Sequence, residues 1–402
     1  MPAPGVMACR MAASGILVVL SYLAFVSLGL PDGLLGVGWP SIRADFGRPV
    51  EALGALVAMF TGGYLVSSFF SGALLRMFSL GTVLAVATAI ASAALFGFAA
   101  APNYALICVA AVAAGAGGGA IDGGLNAFGA QAFTARVLNW LHAFWGLGAA
   151  LGPVIVTAVL ARDLDWRWAY GIVGTAQAAL ALTFWLTRGR WGRLADAEPP
   201  APQWETLGVP RVWLGIFVFF LYTGCELAVA QWSYSVMTLA RDVPEAVAGT
   251  VVAGYWASLT AGRVAFGLIA DRVPLVPALR LATAGAVAGA ALFWAGPVPW
   301  LTYAGLVLSG VSFAPIFASM VSLTPARVGR RHADSAIGMQ IAAAGLGGAV
   351  FGGLFVGAVV RAFGLGAVGV TLVGMTLAFA LGFALLARLP AADGTTQARR
   401  PA

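Results

Sequence analysis

Apolar runs of twenty or more residues alternate with short polar joints from one end of this chain to the other. A bilayer core of roughly 30 Å takes about 20 helical residues to cross. Twelve segments reach that length: 11–37, 52–75, 79–100, 104–133, 137–161, 167–187, 211–238, 246–270, 277–296, 300–324, 334–360 and 365–388. The first begins after Arg10 and runs to about Trp39 with no small-residue cleavage site, so it reads as an uncleaved span. The pattern predicts an all-α membrane protein with twelve transmembrane helices.

Composition agrees. The 402 residues are 61% hydrophobic and only 9% charged, with mean hydropathy +0.92, too apolar for one soluble core. The net charge of +7 comes from 22 arginines, with no lysine, against 15 acidic residues. Such an excess can signal nucleic acid, but its distribution marks topology instead. With the N-terminus in the cytoplasm, sixteen arginines fall on the inner side, and only Arg43, Arg48, Arg162, Arg167, Arg241 and Arg361 fall outside. That satisfies the positive-inside rule and predicts a multi-pass protein of the cell (inner) membrane with both termini cytoplasmic.

The longest polar stretch, Arg188 to Pro210, separates spans six and seven. It divides the chain into an N-terminal six-helix half (1–187), a central cytoplasmic loop (188–210) and a C-terminal six-helix half with a short polar tail (211–402). Two echoes support duplication. GLPDGLLGVGW around Asp32 resembles TGCELAVAQW around Glu226 at an offset of 194, and SGALLRM resembles FGLIADRV, with Gly72 and Gly267 offset by 195. Duplicated halves usually place a substrate site at their interface near the midplane.

Three carboxylates stand inside these spans. Asp32, Asp122 and Glu226 are each costly in hydrocarbon, so each is a candidate functional group. Asp122 and Glu226 fall near the centres of their spans, whereas Asp32 falls further towards the outer end, after Pro31. Burial raises a carboxylate's proton affinity and a nearby cation lowers it, so such an acid can be poised to exchange a proton. Asn126 lies four residues after Asp122 and shares its helix face. Gln231, Trp232 and Tyr234 follow Glu226 within about two turns and supply hydrogen-bonding and aromatic surface, although an interfacial aromatic belt would explain the rings equally well. Asn139 and His142 share a face with Trp145 and Gly146 in span five.

With these residues in view, the chain resembles the major facilitator superfamily. The resemblance rests on twelve spans, a central loop and GRVAFGLIADR after span eight, and it covers essentially the whole chain. Within that superfamily, GLPDG, IDGGLNAF and NWLHAFWGLGAALGP resemble the fucose permease-like sugar:proton symporter branch, as does GCELAVAQWSY. The resemblance implies proton coupling at Asp32 and Asp122. Glu226, Asn126, Gln231, Trp232, Tyr234, Asn139 and His142 are then the candidate substrate contacts. By the superfamily's loop pattern, Gly262, Arg263, Gly267, Asp271 and Arg272 form a conformational latch. Gly72 and Arg76 match it in the first half, where the acidic residue is missing. Arg263, nearer the membrane, is also placed to neutralise an acid.

The expected function is a proton-coupled secondary active transporter moving a small polar solute, a sugar or polyol, by alternating access. The alternative is a proton/solute antiporter exporting a metabolite or drug, suggested by the LGAALGP segment of span five. The expected partners are the solute, protons and the lipid bilayer, with no nucleic acid, and the expected state is a monomer. No enzyme constellation is visible: there are only two histidines, His142 and His332, and three scattered cysteines, Cys9, Cys108 and Cys225. No Walker A sequence occurs, and no metal or cofactor is implied.

Overall fold

Hydrocarbon leaves a backbone no partner but itself, and the apolar runs accordingly fold as helices. A computed structural model describes residues 15–133, 135–191, 203–296 and 298–389. In the first part of the chain the helices are α1 (Gly15–Asp45), α2 (Ala52–Met77), α3 (Leu80–Ala99), α4 (Tyr104–Ala132), α5 (Ala135–Leu160) and α6 (Arg167–Thr187). A short α7 (Gln203–Leu207) precedes α8 (Pro210–Ala240), α9 (Glu245–Ile269), α10 (Leu275–Ala295), α11 (Pro299–Phe313) and α12 (Ile316–Val328). The series ends with α13 (Arg330–Leu346), α14 (Val356–Phe363) and α15 (Ala367–Arg388).

Eleven spans among the described residues are long and apolar enough to cross a membrane. The twelfth is α9, which at 25 residues has the length. Its hydropathy is lowered by Arg263 together with Tyr255, Trp256, Ser258 and Thr260.

Two spans depart from plain α-helix. Span ten is interrupted between α11 and α12 at Ala314–Pro315, because a proline supplies no amide to continue the ladder. Span eleven passes from α13 into a π-helical segment, Gly347–Phe355, before α14. Widened turns of this kind are often found at functional sites.

The contacts define two compact units. The first holds α1 to α6 together with Ala230–Ala257. In it α2 packs on α4, α1 on α5, and α3 on both α4 and α6. Phe25, Leu84, Leu125, Leu141 and Phe184 lie at its core. The α2–α4 contact is close enough that a side chain at Gly115 would overlap the Phe60 carbonyl. In the second unit α10 packs on α11 and α15, and the π-helical segment lies against α8 around Phe220 and Gly224.

α1 runs unbroken through Pro31 and Pro40 for 31 residues. Pro31 has no amide to offer the Ser27 carbonyl, four residues earlier. Gln177 of α6 supplies the missing donor, its Nε2 lying 2.9 Å from that oxygen. Gln177 is only 2% exposed, so the exchange of partners is completed inside the protein. Because α1 extends to Asp45, Asp32 sits near the middle of the helix and not towards its outer end as the sequence suggested.

Candidate functional site

Asp122 lies in the second half of α4, facing α2. The Tyr64 hydroxyl donates to its Oδ2 at 2.6 Å, and Asn126 Nδ2 donates to its Oδ1 at 2.8 Å. Asn126 Nδ2 also reaches the Asp122 carbonyl at 3.0 Å, as their four-residue spacing on one helix allows. Both carboxylate oxygens therefore accept hydrogen bonds. The helices come this close because α4 presents glycine towards α2: a Cβ at Gly119 would overlap the Tyr64 carbonyl.

Asp32 joins this group from α1. It is half-buried, and its carboxylate lies within electrostatic reach of the Tyr64 hydroxyl. Of the two acids that the sequence singled out in the first six spans, the phenol is bonded to Asp122 and only within electrostatic range of Asp32. On the same unit, Gln231 Nε2 donates to the Asp32 carbonyl at 3.3 Å, while its buried Oε1 has no hydrogen-bond partner.

The second unit holds a separate cluster. Glu226, 4% exposed on α8, receives the Tyr222 hydroxyl from one turn earlier and the Arg263 guanidinium from α9, whose Nη2 lies 3.2 Å from Oε1. Tyr222 also reaches the Phe313 carbonyl at 3.3 Å, an oxygen at the break between α11 and α12. On another face of α8, the Thr223 hydroxyl has no partner and its methyl lies near Gly348 of the π-helical segment. An acid, a base and a phenol therefore meet beside two irregular spans.

The remaining candidates divide. Trp232 and Tyr234 are 0% and 1% exposed, which places them in the packed interior and not in an interfacial aromatic belt. His142 is exposed, with its ring edge-on to Phe25 at 5.4 Å. Gly262 packs against Ala314 at the span-ten break, whereas Gly267 and Arg272 are exposed. Gly72 and Arg76 fall in α2, Asn139 in α5 and Asp271 in the turn after α9; their side chains lie outside the described residues. Among the described residues no group of histidine, cysteine or acidic side chains is arranged to hold a metal.

A family model described as the Major Facilitator Superfamily matches residues 21–240, more than half of the chain. The chain belongs to the Major Facilitator Superfamily. It is therefore a multi-pass membrane transporter of small molecules and not an enzyme. Among curated proteins it is similar to the protein TsgA homolog of Citrobacter koseri, 26% identical over 63% of this chain and 66% of that protein. It is also similar to the protein TsgA of Escherichia coli, 24% identical over 76% of this chain and 79% of that one.

Solved structures share the superfamily fold. A D-xylose-proton symporter aligns with a TM-score of 0.75 at 13% identity, covering 96% of this chain and 100% of its own. The nucleoside transporter NupG, as a mutant, aligns at 0.74 and 16% identity, covering 91% and 98%. FucP in the outward conformation aligns at 0.65 and 15% identity, covering 92% and 98%.

Two residues of these clusters were not singled out in the sequence. Tyr222 carried a signal, since it precedes Glu226 by one helical turn. Tyr64 carried none, because only the packing of α2 on α4 brings it to Asp122.

Proposed function

We propose that this transporter couples the movement of a small polyhydroxylated solute, a sugar or related compound, to the movement of a proton in the same direction. One observation carries the reading: Asp122, inside its span, is held by Tyr64 and Asn126 with Asp32 in electrostatic reach of the same phenol. A carboxylate kept inside a membrane span and held by side-chain donors suits a group that exchanges a proton during transport.

Glu226 is suited to a different task. Its charge is already balanced by Arg263 and hydrogen-bonded by Tyr222, which favours a fixed polar contact for solute hydroxyls over a proton cycle. Within the first unit, Gln231 and Asn126 present hydrogen-bonding groups of their own. The substrate class is supported by neighbours named as a D-xylose-proton symporter and a nucleoside transporter, both of which handle sugar-bearing molecules. The segments 1–187 and 211–402 act as the two six-helix halves, joined by 188–210, and the arginine distribution orients both termini to the cytoplasm of the inner membrane. Gly262, Asp271 and Arg272 belong to the latch between conformations.

Thermal unfolding of the purified protein with hexoses, pentoses and nucleosides tests the substrate class, because a ligand of the native state raises apparent stability. A member of this panel is expected to stabilise the wild type and to lose most of its effect in Glu226→Gln. No shift with any sugar or nucleoside, alongside a shift with apolar amines, would overturn the reading.

A further inference from the structure

A cleft of about 450 Å³ opens at the end of the second unit where α8 begins and α12 and α15 stop. Its walls are mainly apolar, formed by Val209, Leu214, Val328 and Leu389, and two arginines, Arg211 and Arg327, enter the same space. Arg211 Nη1 donates to the Arg327 carbonyl at 3.3 Å, so the Arg211 guanidinium rests against the Arg327 backbone. Arg327 leans towards the Phe383 ring at 5.9 Å, and its Nη2 is buried with no hydrogen-bond partner.

Among the described residues neither guanidinium has a carboxylate partner. Two cations brought together in a mostly apolar cleft repel each other, and a desolvated guanidinium nitrogen without an acceptor is costly. An anion entering the cleft would relieve both. The start of α8, a helix of 31 residues, faces the same place and adds the partial positive charge of its first amides.

We infer that this cleft binds the phosphate of an anionic membrane lipid. Guanidinium forks match phosphate oxygens in shape and charge. The apolar walls suit the glycerol and upper acyl segments that follow a lipid phosphate, and a free phosphate has no use for them. The cleft lies at the ends of spans, where headgroups sit, and the arginine distribution puts it in the leaflet that carries anionic lipid. The inference does not depend on the solute or on proton coupling.

The test measures binding of phosphatidylglycerol, phosphatidylethanolamine and inorganic phosphate to the full-length protein in detergent, by native mass spectrometry and by thermal unfolding. Phosphatidylglycerol is expected to bind and stabilise the wild type. Its apparent affinity is expected to fall about fivefold in Arg327→Gln or Arg211→Gln, and further in the double variant, at about 1 kcal/mol per arginine. Arg327→Lys, which keeps the charge but not the fork, is expected to bind between the wild type and Arg327→Gln, and it guards against loss through misfolding. Equal binding of phosphatidylglycerol by the wild type and the double variant would overturn the inference. So would equal stabilisation by inorganic phosphate at the same concentration, which would make this a soluble-anion site.

Discussion

The hydroxyl of Tyr64 on α2 donates a 2.6 Å hydrogen bond to the Asp122 carboxylate on α4. Neither helix makes this polar group alone. It exists because α4 is glycine-rich where α2 crosses it, and it ties the acid to a phenol that also feels the charge of Asp32.

Tyr64→Phe removes a donor that serves the ionised carboxylate, and little else. Loss of that bond removes a donor from the coupling group, so initial proton-coupled uptake is expected to fall about tenfold. Initial rates of uptake into proteoliposomes check this. An unchanged rate would separate Tyr64 from the coupling group.

The glycines of α4 make a graded set. A Cβ at Gly115 or Gly119 would overlap a backbone carbonyl of α2, whereas at Gly118 the nearest atom, Tyr64 Cδ2, is 3.5 Å away. Gly115→Ala and Gly119→Ala are each expected to destabilise by roughly 1–3 kcal/mol, and Gly118→Ala to be nearly neutral. Thermal unfolding of the three variants in detergent reads the difference.

Glu226 and Arg263 are partners at 3.2 Å, with side chains 5% and 20% exposed. Removing one leaves the other charge uncompensated in a buried place, which costs more than removing both. Glu226→Gln and Arg263→Gln are each expected to lower stability, with the double variant recovering about 2 kcal/mol relative to the sum. A double-mutant cycle on unfolding measures that coupling.

Gln177 offers a test of α1. Its Nε2 satisfies the Ser27 carbonyl that Pro31 cannot serve, at 2.9 Å. Gln177→Leu leaves that oxygen buried without a donor, at an expected cost of about 1–3 kcal/mol. Pro31→Ala in the same background restores the helical amide and is expected to recover part of the loss, again by thermal unfolding.

The fold was legible because hydrophobic run length in a bilayer is set by its thickness, and the runs follow the helices closely. The helix α9 passed in sequence because its polar residues are few enough to read as one span. What the sequence could not hold were features set by neighbours. The break at Ala314–Pro315 was marked only by one proline, and the π-helical turn in Gly347–Phe355 lay hidden in a glycine-rich apolar run. The three acids stood out by cost alone, and the Asp122–Asn126 pair followed from helical spacing. Arg263 was visible as a charge near Glu226's half of the chain, but its pairing depends on how α9 lies along α8. Trp232 and Tyr234 read in the sequence equally as sugar-stacking or as interfacial rings, and only their burial decides against the interface.

Proton movement driven by solute reads symport directly. Wild-type proteoliposomes loaded with a pH-sensitive dye are expected to acidify inside when a stabilising sugar or nucleoside is added outside, with solute and proton moving together. Asp122→Asn is expected to abolish that proton movement while preserving exchange of labelled solute across the membrane, because exchange needs no net proton transfer. Solute-driven acidification in Asp122→Asn with the wild-type rate and pH dependence would contradict the account.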